Sequence, residues 1–539
     1  MPLLQEPIPE PRWKGKHRAP RRPFPLHPLL LAAVPVLSLW LHNVSDGVGA
    51  REVIMPLSVV VAASFVVVLV ATMLLRRDLL RGALAGSVVV LLVFSYGPLT
   101  DLMREVKLLG SAAVPPLVVA LSIALCVGAI VAILRAGRGR VTGLTKGLNI
   151  VAAGLVAFNL VAIRLDTDKY SSAGTDDTSL LAAESGGTVR AKKPDIYFIV
   201  LDEYGGEQAL RELLGFDNRP FLKALADRGF YLPPHPTTNY PRTVLYLAAT
   251  MNMRYVQEQV EPGRPVYGSD LVPLIQHDLV PKLLHTKGYT YINIGSWVEE
   301  TATNPQADRN VVLGHGLSEF SQALLQQTVV APALQAVGSP GFDRQQFDRA
   351  NFQFDQLAKS RSLSGPTFVF AHILMPHWPF VFGAHGEFKD TPVPFSVVKP
   401  SFEQIPEEVR NAYVAELQAT NTKTLALIDK LLSGPVQSRP VIVLQSDEGF
   451  FTQLYGDPQE ATDRDLEQHF NTLAAYYFPG LQHTGLYRRM TPVNTFRLLF
   501  DDYLGAKFPL LPDRNYVVTN GEYGAAFTDV TARVRSSLR

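Results

Sequence analysis

The chain has 539 residues, of which 47% are hydrophobic and 18% charged. Ordinary soluble proteins are roughly 25% charged, so a purely soluble chain is disfavoured, and a disordered one is excluded by the ample apolar content. The net charge of +1, from 50 Lys and Arg against 49 Asp and Glu, offers no basic face for nucleic acid. The single cysteine, Cys126, excludes an internal disulfide and leaves metal chemistry to oxygen and imidazole ligands.

Five uncharged stretches occupy the first 164 positions: Pro23 to Ser45, Val53 to Leu75, Gly82 to Thr100, Leu108 to Leu134 and Gly147 to Ile163. A helix crosses the hydrocarbon core with about 20 apolar residues (roughly 17–25), so all five are long enough and five transmembrane helices are expected. Thirteen basic residues fall in the N-terminal tail and the second and fourth loops: Arg12, Lys14, Lys16, Arg18, Arg21, Arg22, Arg76, Arg77, Arg81, Arg135, Arg138, Arg140 and Lys146. The alternate loops hold only Arg51, Arg104 and Lys107. Positive charge stays in the cytoplasm, which puts the N-terminus inside and everything after Arg164 outside. Residues 1–164 are thus the cytoplasmic tail and membrane helices, and 165–193, rich in Ser, Thr, Gly, Asp and Ala, are a linker.

From Pro194 to Arg539 the pattern becomes that of an α/β domain. Short apolar runs suited to buried strands occur at Ile196–Leu201, Tyr289–Ile294, Thr367–Ala371 and Val441–Leu444. Helical segments alternate with them, including one around Phe221, Leu222 and Leu225, one over Glu407–Leu432 and one over Val493–Tyr503. The alternation predicts a largely parallel sheet flanked by helices. Ligands of such sheets sit at the carboxyl ends of the strands. Those ends supply Asp202 and Glu203 after the first run, His372 and His377 after the third, and Asp447 and Glu448 after the fourth. Each acidic pair alone reads better as a helix cap or a solvated turn, and His372 alone could be a core histidine. Their coincidence at one edge points to a site.

The segments PDIYFIVLDEYGG, TNYPRTVLYLAATMNM, FVFAHILMPHWPF and VIVLQSDEGF occur in this order. Together they resemble the sulfatase-like branch of the alkaline phosphatase superfamily, in particular lipoteichoic acid synthases and lipid A phosphoethanolamine transferases. Those enzymes also have five membrane helices followed by an extracytoplasmic catalytic domain. The resemblance implies that Thr243 is a metal-bound nucleophile, a role in which a divalent cation would stabilise its alkoxide. On the residues alone, Thr243 beside Pro241 reads first as a helix N-cap.

By the same resemblance the metal ligands are Asp202 or Glu203, with Asp202 favoured, together with Thr243, Asp447 and Glu448. The family usually has Asp-His-Gly where this chain has Asp447-Glu448-Gly449. That change implies an all-oxygen site, preferring Mn²⁺ or Mg²⁺ to Zn²⁺, or else a site that has drifted. His372 and His377 are expected to hold the phosphate or protonate a leaving alkoxide. His469 and Arg242 are further candidates for substrate contact. Sulfate-ester hydrolysis through formylglycine is excluded, because that residue arises from cysteine or serine and Thr243 is neither. The expected activity is transfer of a phosphoglycerol or phosphoethanolamine head group from a membrane phospholipid to an envelope glycan or lipid, at the outer face of a bacterial cytoplasmic membrane. The alternatives are a phosphodiester hydrolase and a non-catalytic protein that binds an envelope glycan or partner.

Overall fold

A computed structural model describes residues 23–44, 48–105, 113–170, 193–260, 266, 268–314, 317–336, 341–389, 405–450, 461–480, 485–521 and 524–538. The chain divides into two compact units, one largely of apolar helices before residue 160 and one largely of residues after 161.

The first unit is built from six helices, α1 (His27–His42), α2 (Ala50–Leu74), α3 (Leu79–Phe94), α4 (Tyr96–Glu105), α5 (Val114–Arg135) and α6 (Arg138–Tyr170). Each of the five apolar stretches falls on this set, but the expected count of five spans is corrected. Three helices, α2, α5 and α6, are long and apolar enough to cross a bilayer, and α3 with α4 makes a fourth if that pair is one span bent by 44°. Pro98 stands in the first turn of α4, a position that suits the start of a new helix. Helix α1 has only 16 residues, about 24 Å at 1.5 Å per residue, against a core of about 30 Å. It begins late because Pro23 and Pro25 hold the preceding chain extended, and it ends where Asn43 N closes a turn on the Trp40 carbonyl. The basic tail (12–22) and most of the linker (171–192) lie outside the described residues, while residues 166–170 continue α6.

The second unit is α/β. Its strands are β1 (Ile196–Leu201), β2 (Thr290–Ile294), β3 (Arg309–Val311), β4 (Thr367–Ile373), β5 (Val441–Ser446) and β6 (Ala474–Tyr477), in the order β3-β2-β4-β1-β5-β6. All pair in parallel except β6, which runs antiparallel to β5. A separate hairpin joins β7 (Tyr516–Gly521) to β8 (Gly524–Asp529).

Central β1 is buried at every position, as expected of a strand covered on both sides. Ile196, Phe198 and Val200 pack into one core with Leu245 and Leu247 of the Thr243–Asn252 helix and Phe496 and Leu499 of the Thr495–Leu504 helix. Tyr197, Ile199 and Leu201 pack into the other, against Leu357 of the Phe342–Ser360 helix and Leu427 and Ile428 of the Glu407–Leu431 helix. Burying a side chain of this size contributes about 1.5–3 kcal/mol, so the alternation along β1 anchors both helical layers. The register sets the functional edge. Val200 lies level with His372 on β4, and Leu201 lies level with Ser446 on β5, so Asp202, His372 and Asp447 emerge together.

Candidate metal centre

Asp202, His372 and Asp447 are buried and each offers a ligand atom within 4.8 Å of the others. His372 Nε2 lies 3.3 Å from Asp202 Oδ2 and 3.6 Å from Asp447 Oδ2. Asp202 is held by its own N–H, which donates to the Ile373 carbonyl at 3.0 Å. The Gln353 amide donates to the His372 carbonyl at 2.7 Å, fixing the end of β4 from the Phe342–Ser360 helix. Thr301 Oγ stands 3.1 Å from His372 Nδ1 and is itself 2.7 Å from Ser296 Oγ. With Nδ1 engaged there, Nε2 is turned toward the two carboxylates, the usual way an outer partner orients a ligating imidazole.

The electrostatics follow from burying two acids and one base together. Burial pushes the His372 imidazole down, but Asp202 and Asp447 outweigh it and raise the group to about 10. Burial and the Asp202 charge push the Asp447 carboxyl up, whereas for Asp202 the nearby histidines overcome burial and hold it below the usual carboxylate range. Asp202 Oδ1 and Asp447 Oδ2 are sealed from solvent with no hydrogen-bond partner. Buried carboxylate atoms in that state call for a cation. The cluster therefore fits a divalent metal ion. Its donors are two carboxylates and an imidazole, so the expected all-oxygen set does not describe it, and this set suits Zn²⁺ as well as harder ions.

The other expected residues surround this cluster. Glu203 occupies the left-handed region with φ 54°, which costs a non-glycine residue of order 1 kcal/mol. Four hydrogen bonds hold the turn: Glu203 N donates to Asp447 Oδ1 (3.4 Å), Tyr204 N to Ser446 Oγ (2.9 Å), Tyr413 Oη to the Glu203 carbonyl (2.8 Å) and Gly205 N to Tyr413 Oη (3.2 Å). The Glu203 carboxylate faces His377 Nε2 at 3.9 Å. His377 is partly exposed; burial lowers its affinity for protons, but Asp202 and Glu203 raise it above the ordinary value.

Thr243 is the first residue of its helix. Arg242, with φ −160°, is the extended cap, and no side chain caps that end. The Thr243 hydroxyl is thus not spent on capping. It donates to Glu448 Oε1 at 3.3 Å. Burial, then Asp447, Asp202 and Glu203, push the Glu448 carboxyl far up, and Arg242 opposes this. Two further contacts anchor the region. Tyr246 Oη donates to Gln445 Oε1 at 2.8 Å, tying the helix to β5. A Cβ on Gly449 would lie 1.7 Å from the Gln468 carbonyl, so only glycine allows the turn after β5 to meet the Asp463–Phe470 helix.

The structure thus brings Asp202, Glu203, Thr243, His372, His377, Asp447 and Glu448 to one edge, with Arg242 beside Glu448. His372, expected on the substrate side, lies between the aspartates. His469 is fully buried on the Asp463–Phe470 helix, outside the three-residue cluster, and its carbonyl accepts from Gly449 N at 3.1 Å. Sequence reasoning missed Thr301, Gln353 and Tyr413, which belong to helices without a motif and act only through the groups they hold.

A family model described as Sulfatase matches residues 194–496. The match covers more than half of the chain, which therefore belongs to the sulfatase family of the alkaline phosphatase superfamily. Among solved structures the chain is similar to the C-terminal periplasmic domain of EptC from Escherichia coli in complex with Zn, at 11% identity, covering 64% of this chain and 95% of that one, with a TM-score of 0.42. It is also similar to the C-terminal periplasmic domain of the phosphoethanolamine transferase EptC from Campylobacter jejuni, at 12% identity, covering 60% and 92%, with a TM-score of 0.35. A putative sulfatase from Bacteroides thetaiotaomicron is similar at 13% identity, covering 61% and 78%, with a TM-score of 0.37. No curated protein matches the chain.

Proposed function

We propose that this member of the sulfatase family is a metal-dependent phosphotransferase that moves a phospholipid head group, phosphoglycerol or phosphoethanolamine, to a hydroxyl of an envelope glycan or lipid. The observation that carries the proposal is the Thr243 hydroxyl at a helix N-terminus, bonded to Glu448 beside the Asp202–His372–Asp447 cluster.

Asp202, His372 and Asp447 would hold a divalent ion, Mn²⁺, Mg²⁺ or Zn²⁺, which when bound would neutralise charge on the phosphoryl oxygens. Thr243 Oγ attacks the phosphorus of the lipid phosphodiester while Glu448, already its hydrogen-bond acceptor, takes the proton; a bound cation would offset the neighbouring acids that push the Glu448 carboxyl up and leave it ionised for this role. The bond from phosphorus to the diacylglycerol oxygen breaks, and His377, facing outward between Glu203 and solvent, gives that oxygen its proton. The head group remains as a phosphodiester on Thr243. An acceptor hydroxyl then attacks the same phosphorus, its proton passing to His377, and Thr243 recovers its own from Glu448. The helix N-terminus at Thr243 favours the negative charge that develops there. The apolar helices have a physical purpose in this scheme, since they keep the site within reach of lipid head groups. The basic-residue distribution supports a cytoplasmic N-terminus, a multi-pass anchor in the bacterial inner membrane and a catalytic domain outside.

The test is peptide mass spectrometry of the full-length protein in detergent, incubated with mixed bacterial phospholipids and Mn²⁺, Mg²⁺ or Zn²⁺. A head-group phosphate adduct on Thr243 is expected, and its mass names the donor. Lipid turnover with no adduct and water as acceptor would make the protein a hydrolase. No adduct and no lipid consumption with any of these ions would overturn the proposal.

A further inference from the structure

The Phe342–Ser360 helix carries a second functional group beside Gln353. Arg349, one turn earlier, is only 8% exposed, and among the described residues it makes no hydrogen bond or ion pair. Its Nη1 is sealed from bulk solvent. Arg349 lines a narrow cleft of about 10 Å³, room for a single water-sized atom such as one oxygen, together with Glu416, Met375 and Pro379. Glu416 is 1% exposed; its Oε2 accepts from Phe382 N at 3.1 Å, while its Oε1 is buried without a partner. The two side chains share the cleft without forming an ion pair.

A buried guanidinium with no counter-charge is strongly unfavourable, because it has given up water and received nothing in exchange. Its five donors in a fixed fork match the oxygens of phosphate and carboxylate. The cleft lies alongside the loop that carries His377, since Met375 and Pro379 flank that residue on either side.

We propose that this cleft is an anion subsite, in which Arg349 receives a phosphate or carboxylate oxygen of the molecule processed beside His377. The link to substrate rests on the transfer reaction proposed above; the binding itself does not. Glu416 does not repel such a group, because burial pushes its carboxyl well up and leaves a proton on the acid. Its Oε1 then offers a second donor. The apolar walls exclude water and strengthen both contacts.

The full-length Thr243→Ala protein, as purified in detergent, is titrated calorimetrically with glycerol 3-phosphate and separately with glucuronate, with and without the further change Arg349→Met. At least one probe is expected to bind, and Arg349→Met should weaken it by roughly 10- to 100-fold while raising the melting temperature of the ligand-free protein. Arg349→Lys should retain an intermediate affinity. The probe that loses affinity identifies the anion as phosphate or carboxylate. Equal affinities in both backgrounds, no binding of either probe, or a fall in melting temperature for both Arg349 variants would overturn the proposal. Because binding is read without turnover, its failure is distinct from failure of the transfer reaction.

Discussion

The Thr243 hydroxyl and the Glu448 carboxylate stand 3.3 Å apart, joining the first turn of a helix to the residue two positions beyond β5. In the proposed reaction this pairing gives Glu448 a task different from the metal ligation the sequence suggests. An acid that accepts the hydroxyl can take its proton, while Asp202, His372 and Asp447 would hold the cation.

Glu448→Gln keeps the shape and removes the proton acceptor. Turnover is expected to fall by about 10²- to 10⁴-fold, with metal content unchanged by elemental analysis. Loss of metal in that variant would return Glu448 to the ligand set.

Asp447→Asn removes one of two carboxylates held close together. The ligand-free variant should melt no lower than wild type, since like charges no longer share a buried space, but the rise in melting temperature on adding Mn²⁺ or Zn²⁺ should disappear. Thermal shift with and without a chelator checks both halves.

Glu203 sits at φ 54°, and the effect of substitution there depends on the side chain. Glu203→Gly should change stability by no more than about 1 kcal/mol, whereas Glu203→Val, branched at a left-handed position, should cost about 1–3 kcal/mol. Both should lower activity by removing the acid beside His377. Denaturant melts and turnover together separate the two effects.

Burial holds the His469 imidazole down to about 4, from an ordinary value of 6.5. A base depressed in the folded state contributes fully above 6.5 and loses that contribution as pH falls through 4. Stability should therefore decline between those values, by at most about 3 kcal/mol from this group, and His469→Gln should flatten the decline. Melting temperatures across pH 4–7 for the two proteins provide the comparison.

The sequence exposes some parts of this molecule and conceals others for identifiable reasons. Strands β1, β4 and β5 are legible because each is buried on both faces and so reads as an unbroken apolar run. Edge strand β3, the three residues Arg309–Val311, is mostly exposed and carries no such signal. The acids and histidines at the strand ends are legible one by one, but not their pairing. Whether His372 meets substrate or sits between Asp202 and Asp447 is decided by register, one level beside Val200, which no local pattern reports. Tyr413 and Thr301 stay hidden because ordinary positions within helices bring them to the site. The first membrane stretch misleads because absence of charge sets an upper limit on a helix, while prolines set where it starts.

The sheet order β4-β1-β5 puts side by side three strands that are far apart along the chain, and Glu203 reaches Asp447 across 244 positions. No early portion of the polypeptide can contain a working centre. A nascent chain that already displays Asp202 and Thr243 stays inert until the segment around residue 447 has been made and inserted beside β1. Synthesis itself thereby delays the completion of the centre, and a protein truncated anywhere before β5 would lack the Asp447 and Glu448 side of it.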